Sequence, residues 1–221
     1  MTIVKICGLT NEEDALCAAE AGADLLGMIF YPGSPRFVDA DRAARIREAV
    51  RRSFGDGGPR FVGVFVNGPV ALVQTAIERV GLDLVQLHGA EPPRDVLLLS
   101  PRAYKAIRPQ TGERAQAAAA AYGDVVPADG GNPQFLVDAY DPEQYGGTGR
   151  RADWTVARVL AERYRVLLAG GLDPEMVAAA IEEVRPWGVD VSSGVEREKG
   201  RKDHAKVGAF VQAVRAADEG S

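Results

Sequence analysis

Short, nearly unbroken apolar runs alternate with longer amphipathic stretches along the whole chain. The runs are Ile3–Cys7, Leu25–Phe30, Phe61–Val66, Leu84–Leu87, Ala103–Ile107, Phe135–Asp138, Val166–Ala169 and Val189–Val191. Each is short and lacks a clean polar alternation, as expected for parallel strands buried on both faces. The stretches between them carry helix signals. Thr10 and Glu13 have capping-box spacing ahead of the Asn11–Ala21 stretch. Leu72, Val73, Ala76, Ile77 and Val80 share one helical face. Asp173 and Pro174 read as N-cap and first helical residue, with Met176, Val177, Ala180, Ile181 and Val184 following at helical spacing. Val207, Phe210, Val211 and Val214 repeat the pattern near the end of the chain. The alanine run around Ala117–Ala121 predicts a fifth helix, since alanine is the best helix former, and Asp153–Tyr164 a sixth.

Eight strand–helix repeats within 221 residues predict an α/β fold, a single (β/α)8 TIM barrel occupying residues 1–221 as one domain. An open doubly wound sheet is the other arrangement the pattern allows, because periodicity does not show closure. The Gly/Pro-rich stretches Gly55–Pro59 and Gly123–Pro133 fall between elements and are expected on the N-terminal face of the barrel.

Composition narrows the function classes. Lys and Arg number 26 against 31 Asp and Glu, a formal net charge of −5. Without basic runs, a nucleic-acid partner is not expected, since phosphate neutralisation needs clustered Lys and Arg. No apolar run approaches the ~18 residues that cross a bilayer, so no membrane partner is expected. The start, MTIVKICGLT, lacks the signal-peptide pattern, and the expected compartment is a reducing cytoplasm. The two cysteines, Cys7 and Cys17, belong to no Cys/His grouping with metal-ligand spacing.

The active site of such a barrel lies at the C-terminal ends of its strands. Read there, the chain presents Cys7-Gly8, then Tyr31 to Arg36, Asn67, His88-Gly89, Arg108, Asp138, Gly170-Gly171 and Ser192-Ser193-Gly194. The loops after the last two strands often bind phosphate through backbone N–H groups. Gly170-Gly171 and Ser192-Ser193-Gly194 occupy those loops, and Gly146-Gly147-Thr148-Gly149 lies next door, so a phosphorylated small-molecule substrate is expected. Residues 147–152 also fit a loose dinucleotide pattern, but seven or so residues separate them from the preceding strand, where the fingerprint needs a tight turn.

Asp138 ends an apolar strand, a costly place for a carboxylate unless it is paired or at a mouth, and it is a candidate general acid; the bland alternative is a loop cap. Cys7 at a strand end facing a phosphate site is a candidate base, against its more common role as a small buried hydrophobe. Arg36 has the planar fork that suits a carboxylate, or is a solvated loop arginine. His88 is either a ligand contact or a packing histidine. His204, in a mixed-charge stretch, reads as a solvated helix start, Cys17 as helix packing, and Trp154 and Trp187 as core or shell.

Together these segments resemble one family. Lys5-Ile6-Cys7-Gly8-Leu9-Thr10, Ser34-Pro35-Arg36, Gly63-Val64-Phe65-Val66, Gln86-Leu87-His88-Gly89, Gly146-Gly147-Thr148-Gly149, Ala169-Gly170-Gly171-Leu172 and residues 189–196 are similar to the signatures of the phosphoribosylanthranilate isomerases of tryptophan biosynthesis, in the same order. The resemblance implies a barrel that performs an Amadori rearrangement of N-(5-phosphoribosyl)anthranilate without metal or coenzyme, as a monomer or homodimer. It implies that Cys7 is the general base, Asp138 the general acid, and Arg36 the grip on the anthranilate carboxylate. His88 and Asp190 match positions near the sugar, and Gly147, Gly149, Gly170, Gly171, Ser192, Ser193 and Gly194 match the phosphate site. Ala152 stands where a larger residue is usual, Ala169 where serine is usual, and the loop after Asp138 is about one residue longer. Two neighbouring barrels fit less well: indole-glycerol-phosphate synthase needs lysines on the second and third strands, and the histidine-pathway isomerase an Asp where Cys7 stands. A non-catalytic phosphate-binding barrel is the alternative of a different class.

Overall fold

The computed structural model describes residues 1–127, 131–138 and 153–220. Within them, eight parallel strands close into a barrel in the order β1 to β8: Ile3–Cys7, Leu25–Ile29, Arg60–Phe65, Leu84–Leu87, Ala103–Ile107, Phe135–Val137, Val166–Leu168 and Gly188–Val191. β8 pairs back on β1, which closes the sheet. Every expected run is a strand, and the differences lie at the ends. Phe30, Val66, Asp138 and Ala169 fall just beyond the ladders; Asp138 N still donates to Ile107 O at 3.1 Å and Ala169 N to Val137 O at 2.8 Å. Those residues have begun to leave the sheet for the loops at the mouth.

The helices are α1 Glu12–Glu20, α2 Ala40–Phe54, α3 Val70–Val80, α4 Pro93–Leu98, α5 Gly112–Tyr122, α6 Trp154–Ala161, α7 Val177–Val184 and α8 His204–Glu219. One apolar cluster fills the space between strands and helices; a smaller one, with Leu25, Val62, Leu84, Tyr104, Leu136 and Leu167, fills the barrel itself. No helix among the described residues is long and apolar enough to cross a membrane.

Two helices carry weak sequence signals. α2 buries only Ala43, Ile46 and Val50 among many arginines, and α4 is a six-residue helix that buries only Val96. The cap of α1 is Asn11, whose side chain accepts from Asp14 N, rather than Thr10, whose hydroxyl donates to Gly200 O at 2.6 Å. Asp173 does cap, accepting from Glu175 N and Met176 N, but a turn follows it and α7 begins at Val177. The described part of the Gly123–Pro133 stretch lies at the N-terminal side, where Arg60 at the start of β3 donates to Gly131 O and Asn132 Oδ1.

The mixed-charge stretch after β8 is a small antiparallel hairpin, β9 Glu196–Glu198 and β10 Arg201–Lys202. Asp14 anchors it. This buried carboxylate accepts from Lys202 N at 2.9 Å, Asn11 Nδ2 at 2.7 Å and His204 Nε2 at 2.9 Å. His204 is thus an exposed helix start, as its surroundings suggest, and in addition it pairs with Asp14. Burial pushes the Asp14 carboxyl up, but these donors outweigh it and hold it below the usual carboxylate range. A depressed folded-state value means stability that is present above about pH 3.9 and is lost as pH falls through the folded value. Asp14→Asn is expected to cost about 1–3 kcal/mol in urea unfolding at neutral pH, by orphaning buried donors, and to shrink the acid-side loss.

Candidate active site

Side chains at alternate positions of a strand share a face, so Lys5 and Cys7 of β1 both point into the barrel, Cys7 at its mouth. Gly27, opposite Cys7 in the β1–β2 register, makes room for it: a Cβ there would lie 2.8 Å from the sulfur. Lys5 is wholly buried and registers with Asp190 of β8, its Nζ donating to Asp190 Oδ1 at 2.9 Å. Burial works to lower the Lys5 value, but Asp190, then Cys7, raise it beyond the ordinary lysine range, which favours the ammonium form. Burial likewise pushes the Cys7 thiol up; Lys5 opposes that most strongly, with a smaller contribution from Lys202, while Asp190 adds to it. The sulfur thus sits in a buried site with a lysine cation beneath it.

Arg36 is carried inward by the turn after β2 and is buried. Its Nε and Nη2 both donate to Glu196 of β9, each at 2.7 Å, a bidentate pair. Lys202 of β10 steadies the same carboxylate at 3.1 Å and donates to Ser192 O at 3.0 Å. Burial raises the Glu196 carboxyl, yet Arg36 and Lys202 together bring it below the usual value. Two of the guanidinium's five N–H bonds are engaged with Glu196, so the fork is oriented with donors to spare for an incoming carboxylate.

His88 Nε2 lies 3.4 Å from Asp138 Oδ2, and its Nδ1 lies 2.7 Å from Gln86 Nε2, with Gln86 Oε1 taking the hydroxyl of Tyr104 at 2.9 Å. The β4–α4 loop that carries His88 is pinned by Glu91, which accepts from Asn67 N and Gly89 N and pairs with buried Lys105 at 3.1 Å.

These groups converge. Cys7, Arg36, His88, Asp138, Asp190 and Ser192 line one pocket, with Tyr31 at its edge. A second pocket, lined by Gly170, Gly171, Ser193 and Gly194, shares Asp138, Asp190 and Ser192 with the first. Gly170 and Gly171 both adopt positive φ, and at Gly194 any Cβ would run into the Leu172 carbonyl, so backbone is left bare here. The Ser192 hydroxyl is buried without a hydrogen-bond partner among the described residues, as a ligand contact would be. Gly147 and Gly149 lie outside the described residues, as does the dinucleotide-like stretch. Among the described residues no group of three or more His, Cys, Asp or Glu side chains is placed to hold a metal ion.

Sequence reasoning passed over Lys5, Glu196, Lys202, Gln86 and Tyr104 as functional residues. A lysine two positions before Cys7 in an apolar run was the available signal, because a buried charge demands a partner. Gln86 offered the same signal more weakly.

The family model for N-(5'phosphoribosyl)anthranilate (PRA) isomerase matches residues 4–213. The N-(5'-phosphoribosyl)anthranilate isomerase of Citrifermentans bemidjiense is 47% identical over 210 residues, covering 94% of each chain. That of a Roseiflexus species is 46% identical over 220 residues, covering 98% of this chain and 99% of its own. The crystal structure of the Thermotoga maritima phosphoribosyl anthranilate isomerase superposes with a TM-score of 0.85 at 36% identity, covering 98% of this chain and all of that one. A structure of such an isomerase in complex with reduced 1-(o-carboxyphenylamino)-1-deoxyribulose 5-phosphate gives 0.82 at 35% identity, covering 98% and 100%. The chain belongs to the N-(5'-phosphoribosyl)anthranilate isomerase family.

Proposed function

We propose that the protein converts N-(5-phosphoribosyl)anthranilate to 1-(2-carboxyphenylamino)-1-deoxyribulose 5-phosphate, with Asp138 as general acid and Cys7 as general base. The observation that carries this reading is that one mouth pocket holds Cys7, Asp138 and Arg36 and runs through Asp138, Asp190 and Ser192 into the glycine-rich pocket. An elongated substrate with a carboxylate at one end and a phosphate at the other fits that arrangement. Arg36 anchors the carboxylate, and Gly170, Gly171, Ser192, Ser193 and Gly194 anchor the phosphate, with Gly147 and Gly149 as the proposed contribution of the neighbouring loop. Two fixed anions leave the sugar between acid and base, which is where orientation lowers the barrier.

The steps balance. Asp138 gives its proton to the furanose ring oxygen, the C1–O bond breaks, and the anilino nitrogen supplies the pair that makes a C1 iminium. Cys7 takes the proton from C2; the C–H pair becomes the C1–C2 double bond and the iminium pair returns to nitrogen. The resulting enolamine ketonises by losing its hydroxyl proton and gaining one at C1. The proton Asp138 donates and the proton Cys7 receives then exchange with solvent, and no redox equivalent or metal enters the count. Asp190 is held by Lys5, and with His88 it faces the sugar.

The test is calorimetric titration with the reduced product analogue. Tight 1:1 binding is expected. Arg36→Met is expected to weaken it by about 2 kcal/mol or more, roughly 30-fold, because it removes one partner of a buried charge pair. A folded protein that does not bind the analogue, or an Arg36→Met variant that binds it as well, contradicts the assignment.

A further inference from the structure

Gln86 and Tyr104 face each other across the β4–β5 register, both inside the barrel and both buried. His88 stands two residues beyond Gln86 on the same face, and its backbone is fixed by the His88 N to Phe65 O bond at 2.8 Å. A buried polar chain of this kind has few ways to satisfy every atom. Burial pushes the Tyr104 phenol up, so its hydroxyl keeps its hydrogen and needs an acceptor. Gln86 Oε1, at 2.9 Å, is its hydrogen-bond acceptor among the described residues. That fixes which way the amide points, and the amide NH2 then faces His88 Nδ1 at 2.7 Å. A donor there requires a lone pair on Nδ1, which leaves the ring hydrogen of the neutral imidazole on Nε2, the nitrogen 3.4 Å from Asp138 Oδ2. The reverse arrangement needs the amide turned over and the Tyr104 hydrogen stranded in the barrel core, at the cost of an unsatisfied buried donor.

We propose that Gln86, held by Tyr104, is a positioning residue that locks His88 in its neutral Nε2–H tautomer, so that the ring nitrogen nearest Asp138, buried and without a hydrogen-bond partner among the described residues, carries a hydrogen and no lone pair. The consequence rests on the acid role assigned to Asp138. A histidine beside a general acid is a competing base that can drain its proton before the sugar oxygen receives it. With hydrogen already on Nε2, His88 has no lone pair aimed at Asp138 and cannot take that proton. The device therefore acts on ring opening and not on substrate binding.

Nitrogen-15 spectra of the uniformly labelled protein read the tautomer directly. The chain has 2 histidines, so a His204→Gln variant assigns the signals. The expected result is a pyridine-like shift at His88 Nδ1 and a pyrrole-like shift at Nε2; the reverse pattern overturns the proposal whatever the enzyme's substrate proves to be. Gln86→Glu places an acceptor at Nδ1 and is expected to move the ring hydrogen there. In that variant kcat falls about tenfold or more, a part of the ~10²–10⁴-fold that a positioned proton-transfer group supplies. The Kd of the reduced product analogue, whose ring is already open, stays near the wild-type value. Tyr104→Phe, a smaller perturbation that keeps the ring in the core, is expected to give a mixture of the two tautomers and a smaller loss of kcat. A wild-type kcat in Gln86→Glu with the tautomer reversed removes the positioning role. If the protein lacks isomerase activity while the spectra show the Nε2–H form, the failure belongs to the functional reading and the tautomer lock stands.

Discussion

Cys7→Ser is expected to lower kcat by roughly 10²–10⁴-fold while the Kd for the reduced product analogue barely changes, the range a general base contributes. The substitution keeps size and removes the ionisable sulfur; a serine hydroxyl is far too weak a base for a C2 proton. The environment explains how the thiol works although burial pushes its value up. Lys5 and Lys202 oppose that rise, and the iminium formed by ring opening adds a positive charge when the thiolate is required. Acid before base is thus the order the electrostatics favour. The sign of the pH dependence follows. In the free enzyme the thiolate fraction grows as pH climbs toward the raised thiol value, so alkylation of Cys7, followed by site-resolved mass spectrometry, accelerates with pH well past neutrality. Lys5→Met removes the strongest opposing cation and leaves Asp190 uncompensated, so its alkylation is slower at every pH below that value. Alkylation already complete and pH-independent near neutrality contradicts the account of Cys7.

Asp138→Asn is expected to match that loss of kcat, again roughly 10²–10⁴-fold, for a different reason. Asparagine retains the shape and an acceptor for His88, but it has no proton to give to the ring oxygen. The block falls before C2 is touched. Quenched reaction mixtures analysed by mass spectrometry and NMR should therefore contain closed-ring substrate and no open-chain intermediate, with analogue binding intact. Near-wild-type turnover in Asp138→Asn would falsify the acid role.

Much of the fold could be read from the chain because the barrel imposes a strict pattern. Runs such as Phe135-Leu136-Val137 are apolar on both faces only where helices cover the sheet, and all eight runs are strands. The errors have local causes. α2 hides its narrow buried stripe, Ala43, Ile46 and Val50, among arginines, so composition reads as solvent. Thr10 loses the α1 cap to Asn11 because its hydroxyl is spent on Gly200. The β9–β10 hairpin has no apolar alternation at all; the Arg36–Glu196 ion pair and the hydrogen bond from Lys202 N to Asp14 hold it, and such pairing across 160 or more positions leaves no mark in local sequence.

The candidate site shows the same division. Cys7, Asp138 and His88 stand at strand ends and Arg36 in the loop after β2, where any barrel's chemistry is sought, and the described structure brings them to one pocket. Their supporting residues were not legible, because each acts through a register. Lys5 meets Asp190 and Gln86 meets Tyr104 only once β1 closes on β8 and β4 pairs with β5. A lysine inside Ile3–Cys7 signals that some partner exists; naming it takes the closed sheet.

The most direct test of the central claim is the rate of substrate disappearance. Phosphoribosylanthranilate, generated in the cuvette from anthranilate and phosphoribosyl pyrophosphate by the preceding transferase, is fluorescent, and its decay is followed with and without the purified protein. The account predicts a decay accelerated in proportion to protein added, an acceleration absent with Cys7→Ser. A folded protein that binds inorganic phosphate yet leaves the decay at its uncatalysed rate would contradict it.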